Sequence, residues 1–367
     1  MLSRNTYSDR ASGATDIHAL LSDEAFLQAI VEFEAALATA AETTGKVTAD
    51  QADQSRAATT AFELDLAEIA DASAAGANPA IPIAKGLKAL ASDTTAIHFQ
   101  ATSQDAIDTA LSLCLKRAVA VLIDDARNVE RLLTELATEY RATPVMARTL
   151  GQQALPTTFG LVAAGWLEGV RAARREAESL VFPVQYAGPV GALPGGIDTH
   201  DQLAADLGLA ARPIVWHTNR QPVAQVGVAM AQLAGAVRKI AGDIVMYSAT
   251  EVAELREATP GGSSSMPHKA NPAASVAADG YARRTPALAA TLLDALDSRA
   301  QRGVGSWHAE WQTVREIVAA TASALNRITA ALDGLIVDKQ SMSARCGENP
   351  DTANAVAIVD EILAKEN

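Results

Sequence analysis

Gly261-Gly262-Ser263-Ser264-Ser265-Met266-Pro267-His268-Lys269-Ala270-Asn271-Pro272 is the stretch on which the reading of this chain turns. It gathers two glycines, three serines, two prolines, a lysine and an asparagine between segments of long apolar periodicity. Gly261-Gly262 gives the chain a mobile start, and Pro267 and Pro272 stiffen its exit, so this is a connection and not a core element. Turn chemistry alone favours Gly, Ser and Pro in a connection. Loops hung on rigid helices are also where binding and catalytic groups sit.

The flanking segments predict helices. Val223, Val226, Met230, Leu233, Val237, Ile240, Ile244 and Tyr247 alternate spacings of three and four residues. Trp311, Val314, Val318, Thr321, Leu325, Ile328, Leu332 and Leu335 repeat that pattern with Thr321 as its one polar member. A third stripe begins at Ile107, Leu111, Cys114, Ala118 and Val121 and resumes through Leu132, Leu136 and Tyr140. A mean spacing near 3.5 residues is the seam of helices packed side by side in a bundle. A helix over Pro222–Glu257 would be roughly 50 Å long at about 1.5 Å per residue. No strand pattern is strong enough to anchor a sheet. The expected fold is all-α, a long-helix bundle, with an N-terminal helical part over residues 1–105, the bundle over 106–338 and a short C-terminal tail over 339–367.

Composition agrees with helices. Apolar residues make up 49% of the 367 and aromatics only 4%, and alanine, the best helix former, is abundant. The formal charge of −13 argues against a nucleic-acid partner, while a local basic cluster can still receive an anionic small molecule. Cys114 and Cys346 are the only cysteines; far apart, they form neither a disulfide framework nor a metal-ligand spacing, and Cys114 reads as a small buried hydrophobe. The six histidines show no ligand spacing, so no metal and no cofactor is expected. No apolar run is long enough to span a membrane. The N-terminus, with Arg4, Asp9 and Arg10, lacks the apolar region of a signal peptide, and a cytoplasmic, reduced protein is expected.

Three further polar clusters sit at breaks or helix ends. His98-Phe99-Gln100-Ala101-Thr102-Ser103-Gln104-Asp105 precedes a long helix. Thr102, Ser103 and Asp105 are natural N-caps, and a helix N-terminus preceded by hydroxyls also receives a carboxylate. Arg148-Thr149-Leu150-Gly151-Gln152-Gln153 precedes Pro156-Thr157-Thr158-Phe159-Gly160; taken alone it reads as a loop and cap. Arg299 to Arg302 followed by Trp307-His308-Ala309-Glu310-Trp311 reads by itself as a packed, solvated helix start.

Taken together, the loop and these clusters resemble the fumarase/aspartase superfamily. Its loop pattern, Gly-Ser-Ser-x-Met-Pro-x-Lys-x-Asn-Pro, is matched by Gly262–Pro272. Its Thr-Ser-x-Asp is matched by Thr102–Asp105, and its Arg-Thr-His-x-Gln with Pro-x-x-Phe-Gly by Arg148–Gln152 and Pro156–Gly160, except that Leu150 replaces the histidine. The 3-carboxy-cis,cis-muconate cycloisomerase branch also tends to lack that histidine. Gly76-Ala77-Asn78-Pro79, Ala282–Leu288 and Trp307–Trp311 are similar to that branch, whose members often carry a histidine where this chain has Gln153.

The resemblance implies a cofactor-free lactonisation of 3-carboxy-cis,cis-muconate, a tricarboxylate, in aromatic catabolism. Ser263 would be the proton-transfer residue. Lys269 and Asn271 would bind one carboxylate, Thr102 and Ser103 another, and Thr149, Gln152 and Arg148 would act from the second region, with Asn78 and His98 as further contacts. His268 occupies a variable place and would face solvent. The superfamily further implies a homotetramer with sites shared among subunits. The alternatives are an adenylosuccinate lyase-like β-eliminating lyase releasing fumarate and, from another class, a non-catalytic helical scaffold.

Overall fold

The computed structural model describes residues 6–364, so Arg4 of the N-terminal reading and the last three residues of the tail lie outside it. The chain opens with α1 (Thr6–Ser12), α2 (Thr15–Leu20), α3 (Asp23–Thr43), α4 (Ala49–Ala61), α5 (Leu66–Gly76) and α6 (Ala80–Leu90). Next comes α7 (Ser103–Glu139), 37 residues without a break. A hairpin of β1 (Pro144–Thr149) and β2 (Gln152–Thr158) turns the chain into α8 (Phe159–Glu178), which is followed by α9 (Ile197–Asp206) and α10 (Gln221–Tyr247). The rest is β3 (Leu255–Arg256), α11 (Ala273–Ala282), α12 (Thr285–Asp294), α13 (Ser306–Leu332), β4 (Ile336–Val337), α14 (Lys339–Ser343) and α15 (Ala353–Ala364). The protein is an all-α bundle in which α7, α8, α10 and α13 pack on one another.

The apolar stripes are the seams of this bundle. Every member of the α10 stripe, from Val223 to Tyr247, is buried, as are Val314, Val318, Thr321, Leu325, Ile328 and Leu332 of α13. Thr321 is tolerated because its hydroxyl donates to Ile317 O at 2.8 Å and reaches Met230 O of α10 at 3.2 Å. Cys114 is buried in the seam of α7, and burial pushes its thiol up to about 11.

Two polar and aromatic knots set the helix directions. At one end Arg220 (preceding α10) meets Asp108 of α7 and Glu310 of α13, all near the N-termini of their helices. At the other end Phe159, at the start of α8, contacts Tyr140 just past α7 and Tyr247 at the end of α10, with ring centroids 5.6 and 6.5 Å apart. Helices α7, α10 and α13 therefore run the same way, and α8 runs against them.

The structure corrects the sequence reading in three places. Two short antiparallel pairs exist, β1 with β2 and β3 with β4, where no strand was expected. The helix expected to reach Glu257 ends at Tyr247, and the chain then turns through residues 248–254. Val121 is 36% exposed and Leu122 takes its place in the seam, because a 3.6-residue helix drifts against a 3.5-residue count. The C-terminal tail contains two helices, of which α15 packs on α8 and buries Val359 and Ile362. No described helix is long and apolar enough to cross a membrane.

Candidate active site

The Gly261–Pro272 loop leaves the end of β3 and is pinned at its neck. Gly261 and Asn271 exchange backbone hydrogen bonds at 2.8 Å in both directions, and Asn271 Nδ2 donates to Gly262 O at 3.0 Å. A Cβ on Gly261 would lie 2.6 Å from that of Ala273, so the neck closes only on glycine. Below it, the buried Glu257 carboxylate accepts from Ala274 N, Ser275 N and Ser275 Oγ at 2.7–3.1 Å, anchoring the first turn of α11. Residues 264–270, with His268 and Lys269, are exposed, whereas Ser263 is half-buried. The Ser263 hydroxyl oxygen accepts from Met266 N at 3.1 Å and Ser265 N at 3.4 Å. Two amides aimed at one oxygen favour its anionic form.

The second region lies on the β1–β2 hairpin. Leu150 and Gly151 form its tip, both with left-handed backbone (φ 52° and 79°), and Leu150 is fully exposed. Thr149 and Gln152 flank the tip and are exposed. Arg148 turns inward instead. Its guanidinium donates to both Glu254 oxygens at 2.8 and 2.9 Å and stacks on the Tyr247 ring, 5.1 Å from its centroid. Glu254 is wholly buried and also accepts from Arg345 at 3.1 Å. Arg148 thus fastens the hairpin to the segment leading into the loop. No local signal marked Glu254.

The first region is the N-terminus of α7. Asp105 is buried and accepts from Thr102 N, Ala187 N and Gly188 N at 2.9–3.0 Å, with His217 Nε2 at 2.7 Å. That carboxylate ties the Gly-rich segment after Tyr186 to the cap and holds Thr102 and Ser103 at the helix start. Arg302 donates to Thr102 Oγ1 at 2.8 Å, which brings the Arg299–Trp311 cluster to this region and adds a cation that the sequence did not link to it. His98 lies one turn upstream, its side chain 16% exposed. Asn78 sits at the start of α6 with its amide spent on the chain, donating to Gly76 O at 3.1 Å and accepting from Ile81 N at 3.3 Å. Beneath the cap, Arg220 is shared by Asp108 and Glu310, with no side-chain exposure at any of the three. Burial pushes the Glu310 carboxyl up to about 7 despite the Arg220 contact.

One chain does not bring the three regions together. Thr102 and the hairpin cap opposite ends of the 37-residue α7, roughly 55 Å apart at about 1.5 Å per residue. The loop neck follows the ends of α10 and β3, and the β3–β4 pair places it at the hairpin end. A loop pinned at Gly261 and Asn271 reaches at most about 17 Å at roughly 3.3 Å per residue.

Comparison with known proteins places this geometry. The family model described as Lyase (Lyase_1) matches residues 7–286. Nitrosuccinate lyase of Streptomyces davaonensis is 39% identical over 96% of this chain and 79% of its own length. The 3-carboxy-cis,cis-muconate cycloisomerase of Bradyrhizobium diazoefficiens is 36% identical over 94% of this chain and 79% of its own. The crystal structure of the 3-carboxy-cis,cis-muconate lactonizing enzyme from Pseudomonas putida superimposes with a TM-score of 0.85 at 29% identity, covering 96% of this chain and 85% of that one.

Proposed function

Because the chain belongs to the Lyase family of the fumarase/aspartase superfamily, and is thereby a lyase or cycloisomerase, we propose that it interconverts 3-carboxy-cis,cis-muconate and 4-carboxymuconolactone. In lactonisation one carboxylate oxygen adds to the conjugated diene and a proton is delivered to the carbon beside another carboxylate. In reverse, that proton is removed and the lactone C–O bond breaks. Both directions pass through a dianionic aci-carboxylate, whose charge preorganised donors must meet.

The observation that carries the reading is Ser263. Its oxygen already accepts two loop amides, which is what a serine needs to act as acid or base. Lys269, on the same exposed loop, would supply the cation. Leu150, at the place of the superfamily's histidine, cannot move a proton, which matches the cycloisomerase branch and leaves proton transfer to Ser263. Thr102, Ser103 and Arg302 at the α7 N-terminus would take one carboxylate, and Thr149, Gln152 and Asn271 the others. Arg148 is assigned a positioning role through Glu254. Since one chain separates these regions, we propose a homotetramer in which each site draws on several copies.

A second reading is favoured by the relative at 39% identity: proton removal beside a carboxylate of nitrosuccinate, with nitrite leaving from the neighbouring carbon to give fumarate. The first step is the same and only the leaving group differs. Loss of diene absorbance from 3-carboxy-cis,cis-muconate, followed in the presence of chelator, tests the first reading. Turnover by wild type that falls by more than about a hundredfold in Ser263→Ala supports it. No turnover by wild type, with nitrite released from nitrosuccinate, replaces it by the second.

A further inference from the structure

We propose that Glu34 is a positioning residue that holds His98 as an imidazolium beside Thr102, so that His98 Nε2–H binds a substrate carboxylate. This rests on the functional reading above and names a pair that the sequence keeps 64 residues apart.

The geometry is specific. Glu34, in the middle of α3, is 1% exposed. One of its oxygens accepts the His98 backbone N–H at 2.8 Å and the other lies 2.6 Å from His98 Nδ1. The carboxylate therefore fixes both the backbone and the ring of one residue. A carboxylate on Nδ1 sets the proton there and leaves Nε2, on the opposite side of the ring, for a ligand. Backbone strain accompanies it, since His98 and Gln100 both hold left-handed conformations (φ 56° and 52°) without being glycine. Such strain persists where surrounding contacts over-determine it, and it concentrates at functional sites. Here the contacts are Glu34 on His98, Tyr186 Oη donating to Phe99 O at 3.1 Å, and Ala101 N donating to His98 O at 3.2 Å. The turn so held leads directly into the start of α7, close enough for the charge of Asp105 to act on the ring.

The charge balance supports the imidazolium. Burial pushes the ring towards the neutral form, but the charge of Glu34, its hydrogen bond and the charge of Asp105 outweigh it, and Lys88 opposes them; the net direction is upward from 6.5. Glu34 comes from α3, Asp105 from α7 and Lys88 from α6. A raised value means that the cation is present below it and is lost as pH rises through it. Carboxylate capture by His98 should fail on that alkaline limb, as a rise in KM with kcat affected less.

The test uses the full-length protein with 13C-labelled histidine, the His98 resonance being assigned by its loss in His98→Gln. In wild type this resonance is expected to titrate above about 6.5 and to shift on adding the saturated tricarboxylate tricarballylate. In Glu34→Gln its midpoint should fall, and the KM for substrate should rise by about tenfold at neutral pH, the loss of one charged hydrogen bond. A His98 midpoint at or below the ordinary value, or one unmoved by Glu34→Gln, overturns the proposal. Should Glu34→Gln not fold, His98→Gln decides: KM that keeps its wild-type value and pH dependence overturns it, and loss of both supports it. If wild type turns over neither substrate, the functional reading fails, while the titration and the tricarballylate shift still judge the pair.

Discussion

Glu254 shows how much of the site depends on single buried charges. It has no exposed side-chain surface and accepts from Arg148 twice and from Arg345 once. Removing it leaves two arginines facing each other, one of them only 8% exposed. Loss of one partner from a buried pair typically costs about 3–5 kcal/mol. Glu254→Ala is therefore expected to lower unfolding free energy by about that amount in denaturant titration, and an effect below about 1 kcal/mol would show that the pair is solvated. At this scale the residues that announced themselves were those in contiguous strings, Thr102–Asp105 and Ser263–Pro272. Their partners were invisible, because Arg148 meets Glu254 across 106 residues and Thr102 meets Arg302 across 200. No local pattern encodes such distances. The family resemblance implies a substrate contact for Arg148, and in the fold its guanidinium donates to Glu254 and stacks on Tyr247.

The elements were legible in proportion to how much apolar surface they bury. Helices α10 and α13 hide a full stripe, so their periodicity reads directly from the sequence. The β1–β2 hairpin buries almost nothing: Val145 is the only buried position of β1, and Gln152 to Leu155 of β2 are exposed. A strand with no buried face has no alternation to find. What fixes the hairpin lies at its ends. Phe159 N donates to Thr143 O and Gly160 N to Tyr140 O, at 2.8 and 2.9 Å. A Cβ on Gly160 would stand 2.5 Å from Arg141 Cα and 2.9 Å from Ala137 O, both backbone atoms that cannot step aside. The glycine of the Pro-x-x-Phe-Gly string is thus a contact between the end of α7 and the start of α8. Gly160→Ala should force these helices apart and cost about 1–3 kcal/mol, read as a shift in denaturation midpoint. Gly165→Ala, with nothing near its Cβ position, serves as the control and should be neutral or stabilising.

For the whole molecule, the decisive quantity is the length of α7. A helix of 37 residues keeps Thr102 and Ser103 roughly 55 Å from the hairpin, and Ser263 sits on a pinned loop at the hairpin end. A carboxylate substrate a few ångströms across cannot touch both ends of one copy. If Ser263 and the α7 N-terminus serve the same reaction, they must come from different copies, and inactive variants damaged at opposite ends must complement each other. Ser263→Ala protein and Thr102→Val/Ser103→Ala protein, each inactive alone, are expected to regain about a quarter of wild-type activity when unfolded, mixed in equal amounts and refolded together, since a site built from two independently chosen copies is intact at both places in about one case in four. Sites wholly within one chain would yield no recovery, because every chain in the mixture would carry one defect. Light scattering on the same samples reports the number of copies directly. A monomer that nevertheless turns over substrate would remove the shared site, and with it the assignment of either Ser263 or the Thr102–Ser103 pair to the chemistry.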